Sequence, residues 1–170
     1  MSKFYEEIFK CKLINRKGWV ERNAFKSVGR CESDAEHMFS AALLALEIIN
    51  KEKLPLNQEK VLKMLLLHDV CEIDAGDVTP NEHVDPKIKH NNEDKCMQRI
   101  ATECDLSFVY EIWKEFEDGV TPEAKFARKI DKLDAVVQAK VYSKTLNDTA
   151  VFEEFRDYAK TISDEFKKYI

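Results

Sequence analysis

Residues 65–77, LLLHDVCEIDAGD, place a histidine and several acidic side chains directly after a leucine-rich run. Read as a helix, this stretch puts His68 and Glu72 on the same face as the apolar residues before them, so both are expected to point toward the core. Polar groups on a buried face need partners. A metal ion bound by His68 and Asp69 would satisfy them, and an ordinary buried hydrogen bond from His68 to Asp69 or Glu72 is the alternative.

The length and composition predict one helix-rich globular domain. A chain of 170 residues can bury a core without disulfides, and four glycines and four prolines are few for its length. Five cysteines without a C-x-x-C pair indicate free thiols in a reducing cytoplasm. We expect a cytoplasmic protein without a membrane partner, because no apolar run is long enough to cross a bilayer and the first residues do not form a signal peptide.

The charge distribution favours a small anionic ligand over a nucleic-acid polymer. The net charge of −5 disfavours binding to a polyanion. Residues 1–30, however, carry eight basic and three acidic side chains, which makes the beginning of the chain locally positive. Such a segment suits a small anion, although a charged run is also compatible with a plain solvated surface.

Hydrophobic periodicity predicts helices along most of the chain and no convincing strand. Ser33 and Glu36 form a capping box, so a helix is expected to begin there. Residues 15–31 are expected to be irregular. The other predicted helices cover residues 3–14, 58–71, 86–104, 106–117, 122–145 and 151–169.

Two further stretches place polar side chains beside apolar stripes. His37 lies in the first turn of the capped helix and heads its buried stripe, so it is a candidate to share an ion with the histidine of the central stretch. In KIDKLDA, Asp131 and Asp134 lie at the edge of another buried stripe. The alternative is that they are surface aspartates paired with Lys129 and Lys132.

The segment NRKGWVERN, residues 15–23, contains a candidate anion-binding arginine. The planar guanidinium of Arg16 matches phosphate oxygens bidentately. Trp19 could pack against the ring of a ligand, and simple core packing is the alternative.

The central helix is expected to give way to a loop near Gly76 and Asp77. Loops that follow a rigid element often carry ligand contacts, so Asp77 is a candidate binding residue. The remaining histidines, His83 and His90, lie among polar and charged residues and are expected to be exposed.

Together these motifs resemble the HD-domain metal-dependent phosphohydrolases. The motif order is H…HD…D, carried by His37, His68, Asp69 and Asp131. The stretches KLINR, ES-x-AEH, LLLHDVCEI-x-AGD and KIDKLDA span residues 12–134 and are similar to the small 5′-deoxynucleotidase branch. The resemblance implies an all-α, single HD domain over residues 1–170, a bundle of about six to eight helices without a significant sheet.

The resemblance also implies a role for each site residue. One divalent cation, Co, Mn, Fe, Zn or Mg, would be bound by His37, His68, Asp69 and Asp131. This mixed nitrogen and oxygen set does not choose among those metals. The catalytic residues would be Asp69, Glu72 and Arg16. Glu72 would orient or deprotonate the attacking water, and Arg16 would hold the phosphate. Asp77 would contact a sugar hydroxyl and Trp19 would lie beside the sugar, although Lys17 and Gly18 separate Arg16 from Trp19 in this chain.

The implied reaction is removal of the 5′-phosphate from deoxyribonucleoside 5′-monophosphates. The implied partners are a small nucleotide and a second copy of the chain in a homodimer. Ile73 follows Glu72 where the alarmone hydrolases have an acidic residue, and the Gly-Tyr-Pro signature of cyclic-dinucleotide hydrolases is absent from the sequence. The alternatives are an HD phosphohydrolase acting on another small phosphorylated metabolite or nucleotide, and a nucleotide-binding protein without catalysis.

Overall fold

Helices form the framework of this protein, whose computed structural model describes residues 1–24, 26, 29–147, 153, 155, 160 and 164–170. In chain order the helices are α1 (Lys3–Cys11), α2 (Lys17–Glu21), α3 (Asp34–Glu52), α4 (Gln58–Leu67), α5 (Glu72–Ala75), α6 (Pro86–Glu103), α7 (Ser107–Asp118) and α8 (Pro122–Leu146). Short 3₁₀ helices cover Pro80–Glu82 and Asp164–Tyr169. Within the described ranges the β-structure is a single isolated bridge, so the all-α prediction is confirmed.

Side chains of the predicted types cap the long helices. The Ser33 hydroxyl accepts from the backbone N–H of Glu36, and the Glu36 carboxylate accepts from the N–H of Ser33, which confirms the predicted capping box of α3. The Thr121 hydroxyl accepts from the backbone N–H of Ala124 at the start of α8, ahead of a proline in the first turn. These caps satisfy backbone donors that a helix start leaves unpaired, and they fix where α3 and α8 begin.

Helices α3, α4 and α8 pack against one another and form the main core. Ala41 and Ala45 of α3 are fully buried, and their small side chains let the neighbouring helices approach closely. The opposing large residues are also fully buried: Met64, Leu65, Ile130 and Leu133. The predicted metal ligands lie on α3, on α8 and directly after the end of α4. The packing of these three helices therefore brings the ligands to one region.

A second core lies between α1, α6 and α7 and surrounds the fully buried Trp113. It also receives Leu67, Val70 and Cys71, which belong to the end of α4 and the turn after it. The central stretch is therefore held between the two cores.

The central helix is shorter than predicted. We expected residues 58–71, but α4 ends at Leu67. The backbone N–H groups of Val70 and Glu72 donate to the carbonyls three residues earlier, which gives tighter turns than an α-helix. The His68 ring also contacts the Leu65 carbonyl, with Nδ1 to O at 3.0 Å. Because these turns are tighter, the side chains of His68 and Asp69 lie on the same side of the helix end.

Residues 15–31 are not wholly irregular, because α2 lies within them. Its five residues include Gly18, which weakens the sequence signal for a helix. The helix is stabilised by tertiary packing, since Trp19 is buried against Tyr142 and Phe155 from distant parts of the chain. The predicted helix over 151–169 lies mostly outside the described residues, and its described end, Asp164–Tyr169, is a 3₁₀ helix.

An antiparallel bridge joins Asn15 to Ser33 and ties the ends of the segment that contains α2. The N–H of Arg16 donates to the carbonyl of Glu32 at 3.0 Å, and the N–H of Asp34 donates to the carbonyl of Ile14 at 3.0 Å. This bridge places Arg16 directly beside the start of α3.

Candidate metal centre

The structure brings the four predicted metal ligands together. The Nε2 atom of His37 lies 3.1 Å from Oδ1 of Asp131 and 3.7 Å from Oδ2 of Asp69. The Nε2 atom of His68 lies 3.4 Å from Oδ2 of Asp69 and 3.6 Å from Oδ1 of Asp131. Helix α3, helix α8 and the turn after α4 supply these atoms. Two imidazole nitrogens and two carboxylate oxygens thus face one point.

These donor atoms fit a divalent cation. Adjacent ligands of a cation about 2.1 Å away are separated by about 3 Å, close to the distances between these atoms. Among the described residues, Nε2 of His68 is buried without a hydrogen-bond partner. A buried imidazole nitrogen in that condition is costly unless another group, such as an ion, contacts it.

Backbone and side-chain contacts fix both imidazoles. The Nδ1 atom of His37 lies 2.8 Å from Oδ2 of Asp134, and that of His68 lies 3.0 Å from the Leu65 carbonyl oxygen. Because each Nδ1 faces an acceptor, each Nε2 is presented to the shared point. Asp134 was considered with Asp131 in the sequence but was not assigned this role. The signal was its i+3 spacing, which puts both carboxylates on one side of α8.

The imidazoles and carboxylates shift one another's ionisation. Burial and the Arg16 charge lower the pKa of His37, but Asp131 and Asp134 outweigh them and raise it to about 10. Burial raises the pKa of Asp131, but the two imidazoles hold it well below its usual range. Burial also lowers the pKa of His68, and Asp69 and Asp131 reverse that shift, so its pKa is raised. Without metal, His37 therefore retains its additional proton near neutral pH, and the charged form of His68 is favoured relative to a free imidazole.

Arg16 lies against the acidic side of the centre. Its Nη1 donates to Oδ2 of Asp69 at 2.7 Å and lies 3.8 Å from Oε2 of Glu72. The Arg16 side chain is only 19% exposed, so this cation belongs to the interior of the site. The same Nη1 lies 4.0 Å from Oδ1 of Asp34.

A group of three carboxylates, Asp34, Glu72 and Asp77, lies beside the histidine cluster with oxygens within 4.8 Å of one another. Asp34 is fully buried, and within the described part of the chain neither of its carboxylate oxygens has a hydrogen-bond partner. Burial and the neighbouring Asp69 raise the pKa of Asp34 to about 7, and the same two causes raise that of Glu72 well above its usual range. Asp34 is the first residue of α3, a position where acidic side chains are common because they interact favourably with the helix N-terminus.

The predicted binding residues Asp77 and Trp19 line the same cavity. Its volume is about 370 Å³, and Arg16, Asp69, Glu72 and Asp131 also contribute to its walls. The Asp77 carboxylate accepts from the Lys17 N–H at 2.5 Å. Trp19 is 3% exposed, donates through Nε1 to Glu32 at 2.7 Å and stacks on Phe155. Trp19 thus packs in the interior and also borders the cavity.

A neighbouring cavity of about 320 Å³ is lined by His68, Asp69 and Asp131. It also reaches His90, whose side chain is 47% exposed. His90 was predicted to lie in solvent, and it also stacks on Trp113 at a centroid distance of 5.8 Å.

A comparison with known families gives the origin of this arrangement. Residues 8–169 match the family model described as an HD domain. The chain belongs to the HD-domain family. The predicted resemblance to that family is therefore confirmed, and the H…HD…D motif order is that of the four residues that meet in the structure.

Relatives within the HD-domain family cover most of the chain. The 5′-deoxynucleotidase HDDC2 of Danio rerio is 30% identical over 158 residues, which are 91% of this chain and 76% of that protein. The 5′-deoxynucleotidase hdd1 of Schizosaccharomyces pombe is 30% identical over 172 residues, covering 97% of this chain and 83% of that protein.

Solved structures share the fold. The PH0347 protein from Pyrococcus horikoshii OT3 aligns with a TM-score of 0.77 and 28% identity, covering 99% of this chain and 93% of that one. A predicted metal-dependent phosphohydrolase from Magnetospirillum magnetotacticum MS-1 aligns with a TM-score of 0.72 and 26% identity, covering 98% and 85% of the two chains.

Among the described residues, no helix of this HD-domain protein is both long and apolar enough to span a membrane.

Proposed function

We propose that this chain is a metal-dependent phosphomonoesterase that removes the 5′-phosphate from deoxyribonucleoside 5′-monophosphates. The observation that carries the proposal is the meeting of His37, His68, Asp69 and Asp131 beside a cavity that is lined by the two aspartates, an arginine and a buried glutamate. The names of the relatives from Danio rerio and Schizosaccharomyces pombe support the choice of substrate.

The four side chains would hold one divalent cation, and Co, Mn, Fe, Zn and Mg all suit the donor set. When bound, such a cation supplies Lewis-acid chemistry, which polarises a phosphoryl oxygen and lowers the pKa of water. Because four protein ligands fill a tetrahedral site, the reaction requires a cation that accepts five or six ligands.

Glu72 is the proposed general base. Burial first, and the charge of Asp69 second, raise its pKa well above the usual range, and a carboxylate with a raised pKa is a stronger base once ionised. Its side chain is 5% exposed and lines the cavity beside Asp69, so it is placed to orient the attacking water and accept its proton. Arg16 would neutralise charge on the transferred phosphoryl oxygens.

The sugar would lie between Asp77 and Trp19. A carboxylate such as Asp77 accepts hydrogen bonds from hydroxyl groups, and it lies on the cavity wall. Trp19 is fixed by its hydrogen bond to Glu32 and its stacking on Phe155. A fixed indole at this wall would disfavour additional volume on the sugar, which suits deoxyribose over ribose.

We also propose a cytoplasmic location and a homodimer, with the whole chain acting as one HD domain. The five cysteines are free thiols, which suits a reducing compartment. The homodimer follows from the resemblance to the family, and sedimentation of the purified protein measures it.

The proposal is tested by phosphate release from matched deoxyribo- and ribonucleoside 5′-monophosphates with Co²⁺, Mn²⁺ and Mg²⁺. The expected result is metal-dependent release with a preference for the deoxyribonucleotides. Equal rates on both sugars would remove the sugar selectivity. Release only from other phosphorylated metabolites would assign another substrate, and no release with any metal would leave a binding protein.

A further inference from the structure

The candidate site contains more acidic than basic groups. Asp34, Asp69, Glu72, Asp77 and Asp131 surround it, and Arg16 already donates to Asp69 at 2.7 Å. A phosphate monoester carries up to two negative charges near neutral pH and offers three strong acceptor oxygens. Because the guanidinium of Arg16 is already engaged by Asp69, a further cationic group at the cavity wall would strengthen phosphate binding.

Lys89, near the start of α6, occupies that position. It lines both cavities, the one bordered by Arg16 and Trp19 and the neighbouring one bordered by His68. Its side chain is 36% exposed, between the values for a surface lysine and a core residue. The Lys89 side chain therefore shares the walls of both cavities with Asp69 and Asp131 of the candidate metal centre.

The electrostatic environment keeps Lys89 protonated. Burial lowers the pKa of its ammonium, but Glu93, Glu72 and Asp69 outweigh that effect and raise the pKa. Two of those three carboxylates belong to the candidate active site. Their effect agrees with the position of Lys89 on the walls of both cavities, which Asp69 and Glu72 also line.

Glu93 positions the ammonium. It lies one turn further along α6, with Oε1 3.4 Å from Nζ of Lys89, and its side chain is 12% exposed. Lysine has three donors, and this is the one ion pair of Lys89 among the described residues. An exposed pair with this i,i+4 spacing is an ordinary helix surface contact, but Glu93 is mostly buried and lines the second cavity.

The group formed by His90, Glu93 and Glu117 has the residue types of a metal site, with one atom of each within 4.8 Å of the others. Lys89 and Arg128 line the same cavity. The ammonium of Lys89 already lies 3.4 Å from Glu93, and Glu117 lies 3.5 Å from Nδ1 of His90. The group is therefore better described as a support for Lys89 than as a second cation site.

We propose that Lys89 is a substrate-binding residue whose ammonium contacts the phosphate from a second wall of the site, in addition to Arg16. This inference rests on the proposed phosphomonoesterase function and extends it, since it assigns the phosphate two protein cations on different elements. Lys87 is a matched control, because it lies two residues earlier on α6, is exposed and lines neither cavity.

The test measures binding of inorganic phosphate to the Mn²⁺-loaded protein by calorimetry, with Lys89→Ala, Lys89→Gln, Lys89→Arg and Lys87→Ala. We expect phosphate binding to weaken about tenfold in Lys89→Ala and Lys89→Gln, because a charge-assisted contact is lost. Lys89→Arg keeps the charge and should stay within about threefold of the wild type, and Lys87→Ala should be unchanged. Thermal melting curves identify any variant that fails to fold, and the two neutral variants provide independent measurements.

Equal phosphate affinity in Lys89→Ala and wild type overturns the inference, as does an equal loss in Lys87→Ala or the absence of phosphate binding by the wild type. Parallel turnover assays separate this outcome from failure of the proposed function. Nucleotide hydrolysis with unchanged phosphate affinity in Lys89→Ala removes only the role of Lys89. Phosphate binding that depends on Lys89, without hydrolysis of any nucleotide, removes only the proposed reaction.

Discussion

The Nδ1 atom of His37 lies 2.8 Å from Oδ2 of Asp134, a carboxylate on α8 whose side chain is 8% exposed. Asp131, one turn earlier on the same helix, faces the other nitrogen of that ring at 3.1 Å. Helix α8 therefore contributes one carboxylate to the candidate metal centre and another that orients an imidazole of the centre.

Replacing the orienting carboxylate should weaken metal binding without removing a ligand. We expect Asp134→Asn to lower Mn²⁺ affinity by about 10- to 100-fold, because the amide accepts a hydrogen bond but lacks the charge that raises imidazole basicity. Calorimetric titration measures the change. Asp118→Asn is the control, since Asp118 is an exposed residue paired with Lys114. An unaltered affinity in Asp134→Asn would show that the contact is structural only.

Metal binding should release protons. His37 has a pKa of about 10 in the metal-free protein, so its imidazole carries an additional proton near neutral pH. A ligating imidazole must be neutral, and affinity should therefore rise as the pH rises from about 6 to about 8. Titration with Mn²⁺ in two buffers of different ionisation enthalpy counts the protons. The same heat in both buffers would contradict this expectation.

The buried carboxylate of Asp34 should destabilise the metal-free protein at high pH. Its pKa is raised to about 7 from a usual 3.8, so the folded state disfavours the ionised form. The free energy of unfolding should therefore fall as the pH rises through about 7. It should recover as the pH falls toward 3.8, the usual pKa of this carboxyl group in the unfolded chain.

Asp34→Asn removes that charge and should raise the free energy of unfolding by roughly 1–3 kcal/mol at about pH 8, with a smaller gain at about pH 5. Urea unfolding in the presence of a chelator measures both values. Asp118→Asn is again the matched exposed control. A gain of equal size at both pH values would mean that ionisation of Asp34 is not its cause.

Glu72 and Asp69 should separate turnover from metal binding. We expect Glu72→Ala to retain the metal and lose about 10²- to 10⁴-fold in turnover, as for removal of a general base. Asp69→Ala should lose both, because it removes a ligand and the partner of Arg16. Elemental analysis and phosphate release measure the two properties. Loss of metal in Glu72→Ala would assign that carboxylate to the metal.

The two histidines of the candidate centre could be predicted because each one stands on an otherwise apolar helix face, whereas Asp131 lies at the edge of such a stripe. His37 and His68 are polar at positions where their helices are otherwise buried, and the H…HD…D order connects them to Asp131. The role of Asp134 in orienting His37 was not predicted. The pattern of α8 alone does not show that this carboxylate accepts a hydrogen bond from a histidine on another helix.

The burial of Asp34 also depends on distant contacts. An aspartate in the first turn of a capped helix is ordinarily exposed, and here the segment around Arg16 lies beside it. The early end of α4 has the same kind of cause, since Val70 and Cys71 pack into the core between α1, α6 and α7. Such tertiary packing overrides the local periodicity that predicted a longer helix.

The bridge between Asn15 and Ser33 separates two kinds of variation in this protein. It holds Arg16 beside α3 through backbone hydrogen bonds, which do not depend on the side chain of Trp19. Under the proposed function, exchanges at Trp19 are therefore expected to change substrate preference while Arg16 stays in place and α3 and α8 need no compensating change.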